Sequence, residues 1–73
     1  MKDKDLQVQF GLQVKSHRYL RGLTQEDLAE KAGLSPEYIS QIERGLVSPS
    51  FRTIAALSDA LETNPQALFD FSG

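Results

Sequence analysis

The sequence predicts an all-α fold, a bundle of five short helices that contains a helix-turn-helix. Apolar residues recur at about 3.6 residues per turn, and capping residues mark the helix ends. No stretch alternates apolar and polar residues as a half-buried strand would. The 73 residues are expected to form one domain over residues 1–73, a size at which a single small core is formed.

The first predicted helix covers about residues 6–20. One of its faces carries three apolar side chains and a histidine at helical spacing, namely Leu6, Phe10, Val14 and His17. Gly22 follows as a C-terminal cap. We expect His17 to pack at the edge of the core, because a single histidine without cysteines cannot make a zinc site.

The helix-turn-helix is predicted at about residues 24–45. Its two helices cover about residues 25–32 and 36–44, and Gly33 lies in the turn, where the tight reversal favours a positive φ. Each helix begins with a capping residue and a second start signal: Thr24 with Asp27, and Ser35 with Pro36.

Two further helices are predicted after residue 49. Ser50 caps the fourth helix, whose apolar stripe is formed by Ile54, Leu57 and Leu61. Asn64 and Pro65 repeat the cap-and-proline signal and begin a short fifth helix.

The composition argues against several classes of protein. There is no cysteine, no apolar stretch of about 20 residues, and no apolar centre of a signal peptide near the N-terminus. A cytoplasmic protein is therefore expected. We expect no enzyme, cofactor, metal or small-molecule ligand, because no catalytic triad, phosphate-binding glycine loop or metal-ligand cluster is visible.

With these elements assigned, the chain resembles the lambda/434 repressor-like family, the Cro/C1-type (XRE) helix-turn-helix domains. The segments that carry the resemblance are GLTQEDLA at 22–29, AGLS at 32–35, YISQIERG at 38–45 and SPSFRTIAALSDAL at 48–61. The resemblance implies a transcription regulator of repressor or controller type. Such a protein reads a palindromic operator in double-stranded DNA as a homodimer, with its third helix in the major groove.

The resemblance also assigns DNA-binding positions. They are Gln25, Ser35, Pro36, Glu37, Tyr38, Ser40, Gln41, Arg44 and Arg52. Gln41 is the best candidate for base reading, because a carboxamide can pair bidentately with adenine. Ser35 is a helix cap first, and Pro36 offers no side-chain hydrogen bond, so DNA shape is expected to contribute to specificity.

Two further assignments concern structure and assembly. By the resemblance, Arg18 and Glu43 form a partly buried salt bridge between the first and third helices. Part of the apolar group Leu68, Phe69 and Phe71 is assigned to a dimer surface, and the alternative is that this group caps the open end of the bundle. We interpret Lys15, Arg21 and Lys31 as solvated surface charges.

The net charge leaves a second function open. The chain carries a formal charge of −2, which weakens the case for DNA binding because phosphate neutralisation supplies much of the affinity. The alternative is a protein-interaction adaptor or antitoxin-type module of the same fold. A DNA-binding protein needs Ser40, Gln41, Arg44 and Arg52 free and on one face, whereas an adaptor does not.

Overall fold

The computed structural model describes residues 1–72 and is all-α, with no strand among these residues. Four α-helices are followed by one short 3₁₀-helix: α1 (Asp3–Leu20), α2 (Gln25–Ala32), α3 (Pro36–Glu43), α4 (Phe51–Ala60) and the C-terminal 3₁₀-helix (Pro65–Phe69). Helix α1 begins three residues earlier than predicted. No helix in the part of the chain described here is long and apolar enough to cross a membrane.

The short fifth helix is present but is a 3₁₀-helix, so residues 1–72 contain four α-helices and the predicted count of five is slightly off. The backbone N–H of Ala67 donates to the carbonyl of Asn64 at 3.1 Å, and the N–H of Asp70 donates to the carbonyl of Ala67 at 3.4 Å. Both bonds join residues three apart, which is the 3₁₀ pattern. A run of five residues is short enough to adopt it.

The predicted caps are present at the helix starts. Thr24 Oγ1 accepts from the N–H of Asp27 at 3.0 Å, and Asp27 Oδ2 accepts from the N–H of Thr24 at 3.0 Å, which completes a capping box. Ser35 Oγ accepts from the N–H of Tyr38 at 3.1 Å. Gly33 adopts a φ of 70° between α2 and α3, the left-handed conformation predicted for this turn.

The core lies where α1, α2, α3, α4 and the 3₁₀-helix meet. Its fully buried large side chains include Val14, Leu28, Ile39, Ile42, Leu57, Leu61 and Leu68. The prediction of Leu68 as a dimer residue therefore needs correction, because its side chain has no exposed surface to offer a second chain.

The rings of Phe69 and Phe71 lie 6.3 Å apart, and Phe69 also contacts Phe10 at 5.0 Å between centroids.

Helices α1 and α3 cross closely at Gly11, a residue that the sequence patterns do not single out. A Cβ atom on Gly11 would collide with the carbonyl oxygen of Ile42 and would lie 2.9 Å from that of Glu43. Only glycine allows the two backbones to approach to this distance. This crossing fixes α3 against α1 and so determines which face of α3 remains exposed.

Candidate nucleic-acid interface

Helix α3 has one buried face and one exposed face. Ile39 and Ile42 are 0% and 1% exposed and anchor the helix in the core. Glu37 and Gln41 are exposed, and Ser40 is half-buried. Because four residues make about one turn, Glu37 and Gln41 lie next to each other on the outer face. The outer face therefore offers a carboxylate and a carboxamide side by side.

The remaining predicted residues surround this face. Ser35 and Pro36 are exposed at the start of α3, while Tyr38 is half-buried and packs against the core. Arg44 follows the end of α3 and Arg52 lies in the first turn of α4, and both are exposed. Neither arginine forms a salt bridge or a side-chain hydrogen bond within residues 1–72. Both guanidinium groups are thus open to an external anion.

Arg18 and Glu43 form a buried ion pair with two hydrogen bonds. Arg18 Nε donates to Glu43 Oε2 at 2.7 Å, and Nη2 donates to Oε1 at 3.0 Å. The side chains are 7% and 2% exposed. Nη1 of Arg18 donates to the carbonyl of Leu23 at 2.8 Å, so the guanidinium also holds the segment before α2. The hydrogen bonds to Glu43 raise the pKa of Arg18 above its ordinary value, despite burial.

Gln25 belongs to the same network. Its Nε2 donates to Glu43 Oε1 at 3.1 Å. Because a carboxylate only accepts, the amide nitrogen of Gln25 must face Glu43. One N–H and the carbonyl oxygen are not used in this bond. The network thus links α1, the first residue of α2 and the last residue of α3.

The interpretation of Arg21 as a solvated surface charge is wrong. Its Nε donates to the carbonyl of Leu61 at 3.0 Å, and its Nη2 donates to the carbonyl of Glu62 at 3.0 Å. These carbonyls lie at the C-terminal end of α4, where backbone acceptors lack helical partners. Arg21 is therefore a helix cap in the fold. The sequence gives no local signal for this contact, because the partners lie 40 and 41 residues away.

Two of the eight basic residues, Arg18 and Arg21, thus have bonded partners inside the chain. Lys15 lies 5.9 Å from the centre of the Tyr19 ring and is exposed. No group of three or more histidine, aspartate or glutamate side chains that could hold a metal ion occurs in residues 1–72. The exposed groups on and around α3 are hydrogen-bonding side chains, the carboxylate of Glu37 and the guanidinium groups of Arg44 and Arg52.

Comparison with known proteins agrees with this architecture. The helix-turn-helix family model matches residues 14–68, a range that contains α2, α3 and α4 and the C-terminal part of α1. The chain belongs to the Cro/C1-type helix-turn-helix family of transcription regulators. The resemblance inferred from the sequence is confirmed.

Individual relatives give the extent of the similarity. The immunity repressor of Bacillus phage phi105 is 43% identical over 58 residues, which cover 80% of this chain but 40% of the repressor. The control protein C.BamHI of Bacillus amyloliquefaciens is 36% identical over 69 residues, which cover 93% of this chain and 85% of that protein. The chain spans less than half the length of the phage repressor.

A solved structure shares the fold closely. The restriction-modification controller protein C.AhdI from Aeromonas hydrophila superposes with a TM-score of 0.85 and is 38% identical in sequence. The superposition covers 86% of this chain and 96% of the controller protein. The similarity therefore extends over almost the whole of that protein.

Proposed function

We propose that the chain regulates transcription by binding a palindromic site in double-stranded DNA as a homodimer. Helix α3 of each copy enters the major groove of one half-site. The observation that carries this proposal is the division of α3 into two faces. Ile39 and Ile42 anchor it in the core, while Glu37 and Gln41 stand exposed on the outside. A helix held in this way presents hydrogen-bonding groups on a rigid support.

Base reading is assigned to the outer face of α3. The carboxamide of Gln41 can donate to N7 and accept from the N6 amino group of adenine in the major groove. Glu37 can accept from the amino group of cytosine, and Ser40 can bond either base type. Pro36 has no hydrogen-bonding side chain, so DNA shape contributes at the bases nearest the start of the helix.

Phosphate binding is assigned to the residues around that face. Arg44 and Arg52 are exposed and have no partner among residues 1–72, and guanidinium forms strong charge-assisted bonds with phosphate. Tyr38, Ser35 and Gln25 complete the set with neutral hydrogen bonds, Gln25 through the N–H that Glu43 leaves free. With so few cations and an overall charge of −2, the affinity is moderate, and it falls with salt in proportion to the number of phosphates that the arginines neutralise.

The names of the relatives favour transcriptional regulation and leave its sign open. One relative is an immunity repressor and another a control protein. Repression requires only that the dimer occupies a promoter. Coupling of dimerisation to DNA binding makes the response depend on the concentration of the chain itself.

The proposal is tested by selecting binding sites from a random duplex library at about physiological salt, where non-specific binding is weak. We expect a palindrome whose half-sites lie about one helical turn apart. Gln41→Ala should then lose discrimination at one base pair of each half-site, by about tenfold to a hundredfold. No enrichment of any sequence would reject the proposal and favour the adaptor function.

A matched control is available in the same chain. Gln66 is another exposed glutamine, but it lies on the C-terminal 3₁₀-helix and not on α3. Gln66→Ala should select the same site as the unmodified chain, with the same discrimination. A similar loss in both variants would show that base reading does not depend on Gln41.

A further inference from the structure

Tyr19, near the end of α1, is an aromatic residue that lies outside the core and is 63% exposed. The guanidinium group of Arg18 lies over its ring, with Cζ 4.7 Å from the ring centre. Nζ of Lys15, one turn earlier on α1, lies 5.9 Å from the same centre. The ring therefore contacts two cations, of which Arg18 is buried and Lys15 is exposed.

The buried cation has hydrogen bonds on one side and the ring on another. Arg18 has five N–H donors, and its bonds to Glu43 and to the carbonyl of Leu23 use three of them. The face of an aromatic ring carries negative charge and attracts a cation, most strongly where water is excluded. Tyr19 thus holds the guanidinium by an attraction that does not depend on those three bonds.

The position of this guanidinium controls a second side chain. Oε1 of Glu43 accepts from Nη2 of Arg18 at 3.0 Å and from Nε2 of Gln25 at 3.1 Å. The carboxylate oxygen that binds Gln25 is therefore the same atom that Arg18 holds. A displaced guanidinium moves this oxygen, and the amide of Gln25 turns with it.

We propose that Tyr19 is a positioning residue for DNA binding. Its ring holds Arg18, and Arg18 acts through Glu43 to keep the amide of Gln25 in the orientation that binds phosphate. This inference rests on the proposed function, because that function assigns Gln25 to a phosphate. Tyr19 itself does not touch the DNA, so its effect on binding passes through Gln25.

The exposure of the ring agrees with this role. A side chain that keeps 63% of its surface in water contributes little apolar burial to the fold. Tyr38, in contrast, is half-buried and packs against the core. The hydrogen bonds with Glu43 raise the pKa of Arg18 most, and Tyr19 adds to this rise. The ring of Tyr19 thus acts on the cation rather than on the core.

The alternative is that the ring holds Lys15 for a direct phosphate contact. The distances favour Arg18, because its Cζ is 4.7 Å from the ring centre and the ammonium nitrogen of Lys15 is 5.9 Å away. Burial favours it as well, since Arg18 is 6% exposed and a cation–π contact is strongest for a desolvated cation.

The first test measures how firmly Arg18 is held. Rotation about its Cζ–Nε bond exchanges Nη1 and Nη2, which donate to different acceptors, so both bonds must break. NMR exchange spectroscopy on ¹⁵N-arginine measures the rate of this rotation. Tyr19→Ala should raise the rate about threefold to thirtyfold, the range of a cation–π contact. Tyr19→Phe keeps the ring and should rotate as slowly as the wild type.

Two further variants make this test specific. Tyr19→Leu keeps an apolar side chain without a π face and should behave like Tyr19→Ala. Leu20→Ala alters the neighbouring side chain, which is 80% exposed, and should leave the rate unchanged. An unchanged rate in Tyr19→Ala would overturn the proposal, and so would a leucine that restrains Arg18 as well as phenylalanine does. Urea denaturation checks that each variant is folded.

The second test measures binding to the selected palindrome. Tyr19→Ala should weaken binding by up to about tenfold per half-site, the value of one hydrogen bond, and Tyr19→Phe should restore it. Combined with Gln25→Ala, the substitution of Tyr19 should cause no further loss, because its effect passes through Gln25. Losses that multiply in the double variant would overturn the proposal, since a role in the fold alone predicts that result.

The salt dependence separates positioning from direct contact. Tyr19→Ala should keep the wild-type slope of affinity against salt, because no cation leaves a phosphate. A slope reduced by about one unit per half-site would overturn the proposal and show that a cation held by the ring binds the phosphate.

The two tests also distinguish this inference from the proposed function. Rotation of Arg18 that depends on Tyr19, without selection of any DNA sequence, would reject the proposed function and with it the role in DNA binding. A selected palindrome with an unchanged rotation rate in Tyr19→Ala would reject the positioning role alone.

Discussion

The two halves of α1 have different kinds of neighbour. In the C-terminal half, Arg18 is 6% exposed and its guanidinium is bonded to Glu43 and to the backbone of Leu23. In the N-terminal half, Leu6 and Phe10 line a groove that is open to solvent. The polar groups of Arg18 in the C-terminal half find their partners within one chain, whereas the N-terminal half leaves apolar surface exposed to solvent. Substitution of Arg18 should therefore change stability strongly, whereas substitution of Leu6, which is 41% exposed beside the open groove, should change it little.

The largest expected effect is that of Arg18→Ala. The change leaves the carboxylate of Glu43, whose side chain is 2% exposed, without its cation. We expect the free energy of unfolding to fall by about 3 to 5 kcal/mol, measured by urea denaturation. A domain of this size has a total stability of about 4 to 11 kcal/mol, so this loss is a large fraction of the total.

Two further variants sharpen this result. Arg52→Ala removes an exposed arginine from α4 and should leave the stability within about 0.5 kcal/mol of the wild type. Arg18→Met combined with Glu43→Leu removes both charges and should recover most of the loss. A near-normal denaturation midpoint for Arg18→Ala would refute the difference between the two halves of α1.

Gly11→Ala, at the crossing of α1 and α3, should be the next largest change. The added methyl group would collide with the carbonyl of Ile42, which is backbone and cannot rotate away. We expect a loss of about 3 kcal/mol in the free energy of unfolding. Ser16→Ala alters an exposed position of the same helix and serves as the control. Equal stability of the two variants would show that the crossing can widen without cost.

Arg21, at the C-terminal end of α1, should have a smaller effect on the free energy of unfolding when it is replaced by alanine. The change removes two hydrogen bonds to carbonyls at the end of α4, on a side chain that is 44% exposed. We expect a loss of about 1 kcal/mol, visible as a lower denaturation midpoint. Lys4→Ala removes an exposed charge from the start of α1 for comparison. If both variants behaved alike, Arg21 would be a solvated charge after all.

The smallest effect concerns the capping box of α2, which is independent of both halves of α1. Hydrogen bonds from the backbone and side chain of Thr24 lower the pKa of Asp27. A lowered folded pKa gives stability that is present above the unfolded value of about 3.9 and is lost as the pH falls through the folded value. Asp27→Asn should therefore be less stable than the wild type at neutral pH.

The pH dependence of that difference is the measurement. Urea denaturation of both proteins between neutral pH and about pH 2 should show curves that converge below about pH 4. Glu30→Gln replaces an exposed carboxylate of α2 outside the cap and should show no such convergence. A gap that stays constant down to the lowest pH would rule out the carboxylate of Asp27 as its source.

Much of the candidate site is predictable because its signals are local. Ser35 and Pro36 fix where α3 begins, and the spacing of Ile39 and Ile42 fixes which of its faces is buried. The exposure of Gln41 follows from these two facts. The partner of Gln25 does not, because Glu43 lies 18 residues away and its carboxylate is placed by Arg18 from a third helix.

The sequence by itself determined the four α-helices, their caps, the turn at Gly33 and the outward face of α3, since each depends on residues three or four positions apart. Only the tertiary structure decided that Leu68 is buried, that Arg21 caps α4 and that Phe51 stands beside an apolar groove. These outcomes depend on how helices distant in sequence pack against each other. Local patterns show which side chains are apolar or polar, but they do not show which distant residues those side chains will contact. Many side chains of the same type could make the same contact.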